Sequence, residues 1–250
     1  KEVKRLTYQS SRGCPFKCRF CINSIYNYQW RGRDADKVIA DIKLLKEKFG
    51  FNHILFCDEN FFLKKEYGFE ILKAVHKMGI TTRFNIHPNL IRDEDMIKRM
   101  KELNVLELDF GLESGNERVR NQVVKKNLKE EHVFEILKWT NKYKMITNWG
   151  FLIGMPGETR KEMKDTLNLM DKMNKFAKDN LILTGPGTYR PYPGGEMYDD
   201  AIKAGFKEPK RLQDWDAGNY EAFVETSDLP WVKKKNLALV KNVGKYSTIA

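Results

Sequence analysis

Leu6-Thr7-Tyr8-Gln9-Ser10-Ser11-Arg12-Gly13-Cys14-Pro15-Phe16-Lys17-Cys18-Arg19-Phe20-Cys21 reads as a β-type run, Leu6 to Ser10, that passes directly into a loop carrying three cysteines. The C-x-x-x-C-x-x-C spacing gathers three thiolates at one point and supplies no fourth nearby. A structural zinc site is closed and takes four ligands. A 4Fe-4S cluster held by three cysteines instead keeps one iron without a protein ligand, free to take a substrate or cofactor. The other cysteine is Cys57 and the histidines are His53, His76, His87 and His132, so a zinc or ferredoxin-type site completed by a distant ligand stays open here.

Outward from this loop, short β-type runs alternate with helical patterns, the signature of βα units and a parallel sheet. Asp34 is placed to cap a helix whose apolar positions Val38, Ile39, Ile42, Leu45 and Phe49 repeat at helical spacing, with Gly50 ending it. Further strands are expected at His53–Cys57, Thr82–Ile86, Val105–Phe110, Thr147–Ile153 and Leu181–Tyr189. Helices fill the intervals, running to Gly79 and over Asp93–Leu103, Lys129–Tyr143 and Arg160–Lys175. These units make an α/β fold, a partial (β/α)6 TIM-like barrel of parallel strands with outer helices. In such barrels active sites gather at the C-terminal ends of the strands. The core is expected over 1–190. Residues 191–250, richer in Gly, Pro and Trp and without a clear period, read as an extension or the start of a further module.

The chain has 250 residues, 41% hydrophobic and 12% aromatic, enough for a sizeable core. No apolar run approaches the roughly 18 residues that span a bilayer. The chain starts at Lys1 without Met and stops at Ala250 without an evident end, so both ends read as cuts in a longer polypeptide. Three of the four cysteines cluster, which fits metal binding in a reducing cytoplasm better than a disulfide framework. The net charge is +11, yet lysines such as Lys43, Lys46, Lys48, Lys98 and Lys101 spread over helices as solvated faces. A nucleic-acid partner is therefore not expected; anionic small molecules or lipid head groups are favoured by the same field.

Phe20 stands immediately before the last cysteine of the loop. With the cysteine spacing, this resembles the radical S-adenosylmethionine (radical SAM) superfamily, where the aromatic packs beside the cluster. Asp58-Glu59-Asn60-Phe61 is similar to the acidic motif that contacts the methionyl amino group of SAM, in the form of cobalamin-associated members. Gly111-Leu112-Glu113-Ser114-Gly115 is similar to their Gly-x-Glu-Ser-Gly motif, which implies that Glu113 and Ser114 lie near the cofactor. Gly150 to Thr159 resembles their Gly-[FL]-[IL]-x-Gly-x-Pro-Gly-Glu-Thr segment, which implies that backbone around Leu152 and Gly154 lines the adenine site. Pro191 to Met197 resembles the segment after the sixth strand, and Tyr189 and Arg190 either face the cofactor or close the sheet. Taken singly, Asp58 to Asn60 also reads as a strand-to-helix turn, Glu113 as a solvated carboxylate and Gly154 to Gly157 as a simple turn.

The resemblance implies that Cys14, Cys18 and Cys21 hold a 4Fe-4S cluster and that SAM chelates its open iron. An electron from a donor such as flavodoxin or ferredoxin then cleaves SAM, and a 5′-deoxyadenosyl radical abstracts hydrogen from a substrate the sequence does not name. The motifs point to the cobalamin-associated group of methyltransferases and cyclases. Its cobalamin domain usually precedes the barrel, and this chain has no Asp-x-His-x-x-Gly sequence. The competing readings are a tRNA methylthiotransferase-like enzyme and a non-catalytic metal-stabilised binding module.

Overall fold

A parallel sheet needs a crossover between each pair of neighbouring strands, and this chain supplies a helix for each. In a computed structural model, residues 4–177, 179–216, 229–234 and 236 are described. The strands and helices are β1 (Arg5–Tyr8), β2 (Ser11–Arg12), β3 (Arg31–Gly32), α1 (Ala35–Phe49), β4 (His53–Phe56), α2 (Lys65–Lys77), β5 (Thr81–Asn85), α3 (Glu94–Glu102), β6 (Val105–Glu113), α4 (Glu130–Lys142), β7 (Ile146–Ile153), α5 (Arg160–Ala177), β8 (Leu181–Thr188) and α6 (Glu196–Lys203). One six-stranded sheet runs β1-β4-β5-β6-β7-β8, every neighbouring pair parallel. The sheet does not close on itself among the described residues, so the partial barrel read from the sequence is the fold observed. A small antiparallel pair, β2 with β3, brackets the cysteine loop.

The two faces of the sheet differ in chemistry. Ile54, Phe56, Phe84, Leu108, Phe110, Trp149 and Phe151 form a buried core with Val38 and Ile42 of α1, Ile71, Leu72 and Val75 of α2, and Met96, Ile97 and Met100 of α3. The alternate strand residues carry a polar ladder. Arg83 makes two 2.7 Å bonds to Asp109, Asn148 donates to Asp109 at 3.0 Å, and Thr184 donates to Asn148 at 2.6 Å. A closed TIM barrel fills its interior with apolar layers. Here the inner face is polar and half-buried, which leaves it available to a ligand.

Local signals explain the helix limits. Asp93 caps α3 by accepting from Met96 N at 2.8 Å, and Gly50 ends α1 at φ +63. Asp34 occupies the N-cap position of α1 but makes no capping bond; its carboxylate pairs with Lys37 at 3.0 Å, a correction to the expected cap. The first strand ends at Tyr8 rather than Ser10, because Ser10 directs its N–H to Asp58. β6 runs past Phe110 to Glu113, since Gly111 and Glu113 still pair with Gly150 and Phe151 of β7. The stretch from Pro191, read as aperiodic, contains α6: eight residues show only two turns of pattern, yet Met197 and Ala201 are fully buried. Of the proposed C-terminal extension, residues 217–228, 235 and 237–250 lie outside the described ones.

Phe61 follows the Asp58-Glu59-Asn60 turn and is fully buried, with its ring 4.3 Å from Phe56 and 4.8 Å from Phe84. Phe61→Ala is expected to cost about 3–5 kcal/mol of stability, and Phe61→Leu clearly less, read as the shift in the urea midpoint. Equal, negligible shifts would show that this aromatic cluster does not anchor the turn.

Candidate functional site

The chain leaves β1 into the cysteine loop under tight control. Asp58, fully buried after β4, accepts from Ser10 N at 3.1 Å, from Ser10 Oγ at 2.7 Å and from Ser11 Oγ. Gly13 adopts φ +84, and a Cβ there would lie 1.9 Å from Gln29 O, so only glycine fits. Its N–H donates to Glu59 Oε2 at 3.1 Å. On the far side of the loop, Arg19 is paired with Glu196 at 2.9 Å and Asp200 at 2.6 Å, both on α6. Met197 N also donates to Arg19 O at 3.1 Å.

Within this frame Cys14, Cys18 and Cys21 are free thiols on the wall of one cavity of about 250 Å³. Among the described residues, no three His, Cys, Asp or Glu side chains converge as ligands of a single ion would. Burial pushes Cys18 up to about 11, against the pull of Lys126, and raises Cys14, where the Phe16 backbone N–H, Asn60 and Lys126 act in the opposite sense. Thiolates disfavoured by burial are relieved by a bound cationic centre. Asn23 Nδ2 donates to Cys21 Sγ at 3.3 Å. Cys57 is exposed, bonded to Tyr8 O at 3.4 Å, and does not line the cavity. The donor set therefore fits a group that takes three thiolates and keeps a further position open.

The cavity floor carries a buried ion pair, Lys126 Nζ to Glu113 Oε1 at 3.1 Å, with side chains 7% and 10% exposed. Burial alone would pull the Lys126 ammonium down; Glu113 and the thiols of Cys18 and Cys14 outweigh it, and the net shift is upward. Glu113 sits at φ +70, and a Cβ on Gly111 would come 2.2 Å from its carboxylate, so glycine makes room for the pair. Arg120, 1% exposed within a π-turn at Val119–Val123, holds this segment by donating to Leu128 O, Ser114 O and Gly115 O. π-turns often mark functional sites.

The residues named from sequence divide clearly. Glu59, Asn60, Glu113 and Phe20 line the first cavity with the cysteines. Phe20, Cys21 and Leu152 also line a second, mostly apolar cavity of about 380 Å³, with Thr188, Tyr189, Arg190 and Tyr192. Three placements differ from the expectation. Asp58 is turned inward to the serines and does not line either cavity. Ser114 is fully buried beside Thr166 Oγ1 at 3.3 Å, and its Oγ accepts from Asn116 N. Gly154, at φ +76, gives its N–H to Glu158 and its carbonyl to Trp231 Nε1 at 2.7 Å. Each short polar group found a partner behind the wall, closer than the cavity.

Lys126 and Asn23 line the site without having been singled out, and His87, named from sequence only among the histidines that could complete a metal site, lines it too. Lys126 looks like one more solvated cation in the run Lys125-Lys126; a cation thirteen residues after Glu113 has no sequence signature. Glu158 accepts from Gly154 N at 2.6 Å and Met155 N at 3.1 Å, yet burial pushes its carboxyl up to about 7. Folding thus favours the protonated form: its contribution is full below the ordinary glutamate range and is lost as pH rises through about 7. Glu158→Gln should flatten the fall in stability between roughly pH 4.5 and 7, measured as urea midpoint against pH. An unchanged slope would contradict the assignment.

The Radical SAM superfamily model matches residues 8–170. An uncharacterized methyltransferase of Pyrococcus horikoshii is 29% identical over 195 residues, covering 77% of this chain and 41% of its own length. The cytidylyl-2-hydroxyethylphosphonate methyltransferase of Streptomyces wedmorensis is 25% identical over 209 residues, covering 80% of this chain and 38% of its own. Among solved structures, the radical S-adenosylmethionine methyltransferase TsrM of Kitasatospora setae, with tryptophan substrate and a SAM analogue bound, superposes with a TM-score of 0.67 at 13% identity. That superposition covers 87% of this chain and 45% of TsrM. The chain spans about two fifths of the length of these two curated relatives. With its three-thiol cavity at the C-terminal edge of a partial parallel barrel, the chain belongs to the Radical SAM superfamily.

Proposed function

We propose that this chain is the catalytic barrel of a radical SAM enzyme. Cys14, Cys18 and Cys21 hold a 4Fe-4S cluster, and SAM lies across the two cavities that share Phe20 and Cys21. The observation that carries the reading is the pairing of a charged, thiol-lined cavity with an apolar one. A molecule with a zwitterionic amino-acid end and a flat nucleoside end matches that pair. Lys126 is placed to take the carboxylate of the methionyl end, while Glu113 and Glu59 offer acceptors to its amine. Phe20 and Leu152 supply apolar surface for the adenosyl end. When bound, cluster and SAM together supply one-electron cleavage of SAM to a 5′-deoxyadenosyl radical that abstracts hydrogen from a substrate. The protein's part is orientation and exclusion of water: Gly13, Asp58 and Arg19 fix the loop, and Arg120 fixes the charged floor.

The finer reading is methyl transfer to, or cyclisation at, an unactivated carbon, with cobalamin held by a domain outside this chain. The methyltransferase relatives and the cobalamin-dependent OxsB structure, which superposes at a TM-score of 0.64 and 15% identity, support it. We place the protein in a reducing cytoplasm with a flavodoxin- or ferredoxin-type donor. Among the described residues no helix is long and apolar enough to cross a membrane.

Anaerobic reconstitution with iron and sulfide, followed by dithionite and SAM, should release 5′-deoxyadenosine and methionine together. Cys14→Ala, Cys18→Ala and Cys21→Ala should each abolish release. A wild-type protein that retains one zinc per chain and leaves SAM intact would instead be a metal-stabilised binding module, and the reading would fall.

A further inference from the structure

His87 belongs to the site cavity but to none of the motifs. It follows β5 and is 7% exposed on the wall that also carries Cys14, Cys18, Cys21 and Lys126. Its ring lies face to face with Phe16, centroids 3.7 Å apart and planes 5° from parallel, and Phe16 sits between Cys14 and Cys18. The turn that bears it is held from three sides. Asn60 Oδ1 accepts from His87 N at 3.4 Å, His132 Nε2 lies 3.2 Å from Pro88 O, and Asn89 Nδ2 donates to Asn127 O at 2.8 Å. The ring therefore has little freedom to turn.

The tautomer follows from the hydrogen bonds. Asn89 N, a backbone N–H that can only donate, bonds His87 Nδ1 at 3.2 Å. Nδ1 thus carries the lone pair, and in the neutral imidazole Nε2 carries the hydrogen. That Nε2 is buried with no partner among the described residues. Buried donors are nearly always satisfied, so an orphan fixed on the wall of a binding cavity is a place for a bound acceptor. Burial first, and the nearby Lys126 charge second, push the His87 imidazole down, and that charge marks the same region as one for an anion.

We propose that His87 is a further cofactor-binding residue, whose Nε2–H donates a hydrogen bond to the anionic acceptor held in this cavity. The acceptor is a sulfur of the cluster unit, on the side where the ring stacks against the cysteine loop; the other anion the cavity would hold is the methionyl carboxylate. The inference rests on the proposed cluster and SAM site. Hydrogen bonds to cluster sulfurs tune the reduction potential, because a donor stabilises the more negative, reduced form.

The test uses the anaerobically reconstituted chain with His87→Phe, which keeps a ring to stack on Phe16 but has no donor, and His87→Gln, which keeps an N–H donor. Without SAM, the cluster of His87→Phe should have a lower midpoint potential than wild type in an EPR-monitored redox titration, and His87→Gln should stay close to wild type. An unchanged potential with SAM affinity weakened roughly tenfold or more, read from the SAM-induced EPR change, assigns the bond to the carboxylate and leaves the donor role standing. If His87→Phe takes up no cluster, normal loading of His87→Gln assigns the defect to the lost donor; equal failure of both overturns the proposal. Wild-type potential and SAM affinity in His87→Phe also overturn it. A wild-type chain that takes up no cluster would instead sink the functional reading underneath.

Discussion

One buried carboxylate joins the parts of this molecule that must meet. Asp58 receives the N–H and hydroxyl of Ser10 and the hydroxyl of Ser11, all in a region closed to water. A buried carboxylate is costly unless its oxygens are hydrogen-bonded, so its three donors are held where they are. They belong to Ser10 and Ser11, where the chain passes from β1 through the short β2 into the cysteine loop. The residues beside Asp58 carry the same constraint outward. Glu59 holds Gly13, Asn60 holds the His87 backbone, and Phe61 enters the aromatic core. The loop's position is thereby tied to β4, β5 and the core rather than to the loop's own conformation.

Charge organises what that frame encloses. Lys126 and Glu113 are buried together beneath the thiols, and a buried ion pair contributes more to arrangement than to stability. Its value here is positional: a fixed cation and a fixed carboxylate on the cavity floor, with Gly111 leaving the space they fill. The inner face of the sheet continues this polarity through Arg83, Asp109, Asn148 and Thr184. The core faces the helices and the chemistry faces the open side.

The architecture was legible because its signals are periodic. Six β-type runs separated by helical patterns were enough to expect a partial barrel, and all six strands are present in sequential order. The cysteines, Glu59, Asn60, Glu113, Phe20 and Leu152 were legible because they stand at strand ends in recognisable spacing, and all line the two cavities. Sequence could not show which way a short polar side chain turns at such an end. Asp58 and Ser114 found partners behind the wall, whereas His87 and Lys126 reach the cavity from turns whose sequences look ordinary. α6 was hidden by its length, and its role through Glu196 and Asp200 depends on a contact with Arg19 far away in sequence.

The central claim is that three cysteines hold a cluster with one iron open to SAM, and Mössbauer spectroscopy of the ⁵⁷Fe-reconstituted chain tests it most directly. The account predicts a 4Fe-4S spectrum in which about a quarter of the iron signal changes on adding SAM, one iron of a cluster ligated by three cysteines. A 4Fe-4S spectrum indifferent to SAM, or a protein that takes up zinc in a closed four-ligand site in place of iron, would contradict it.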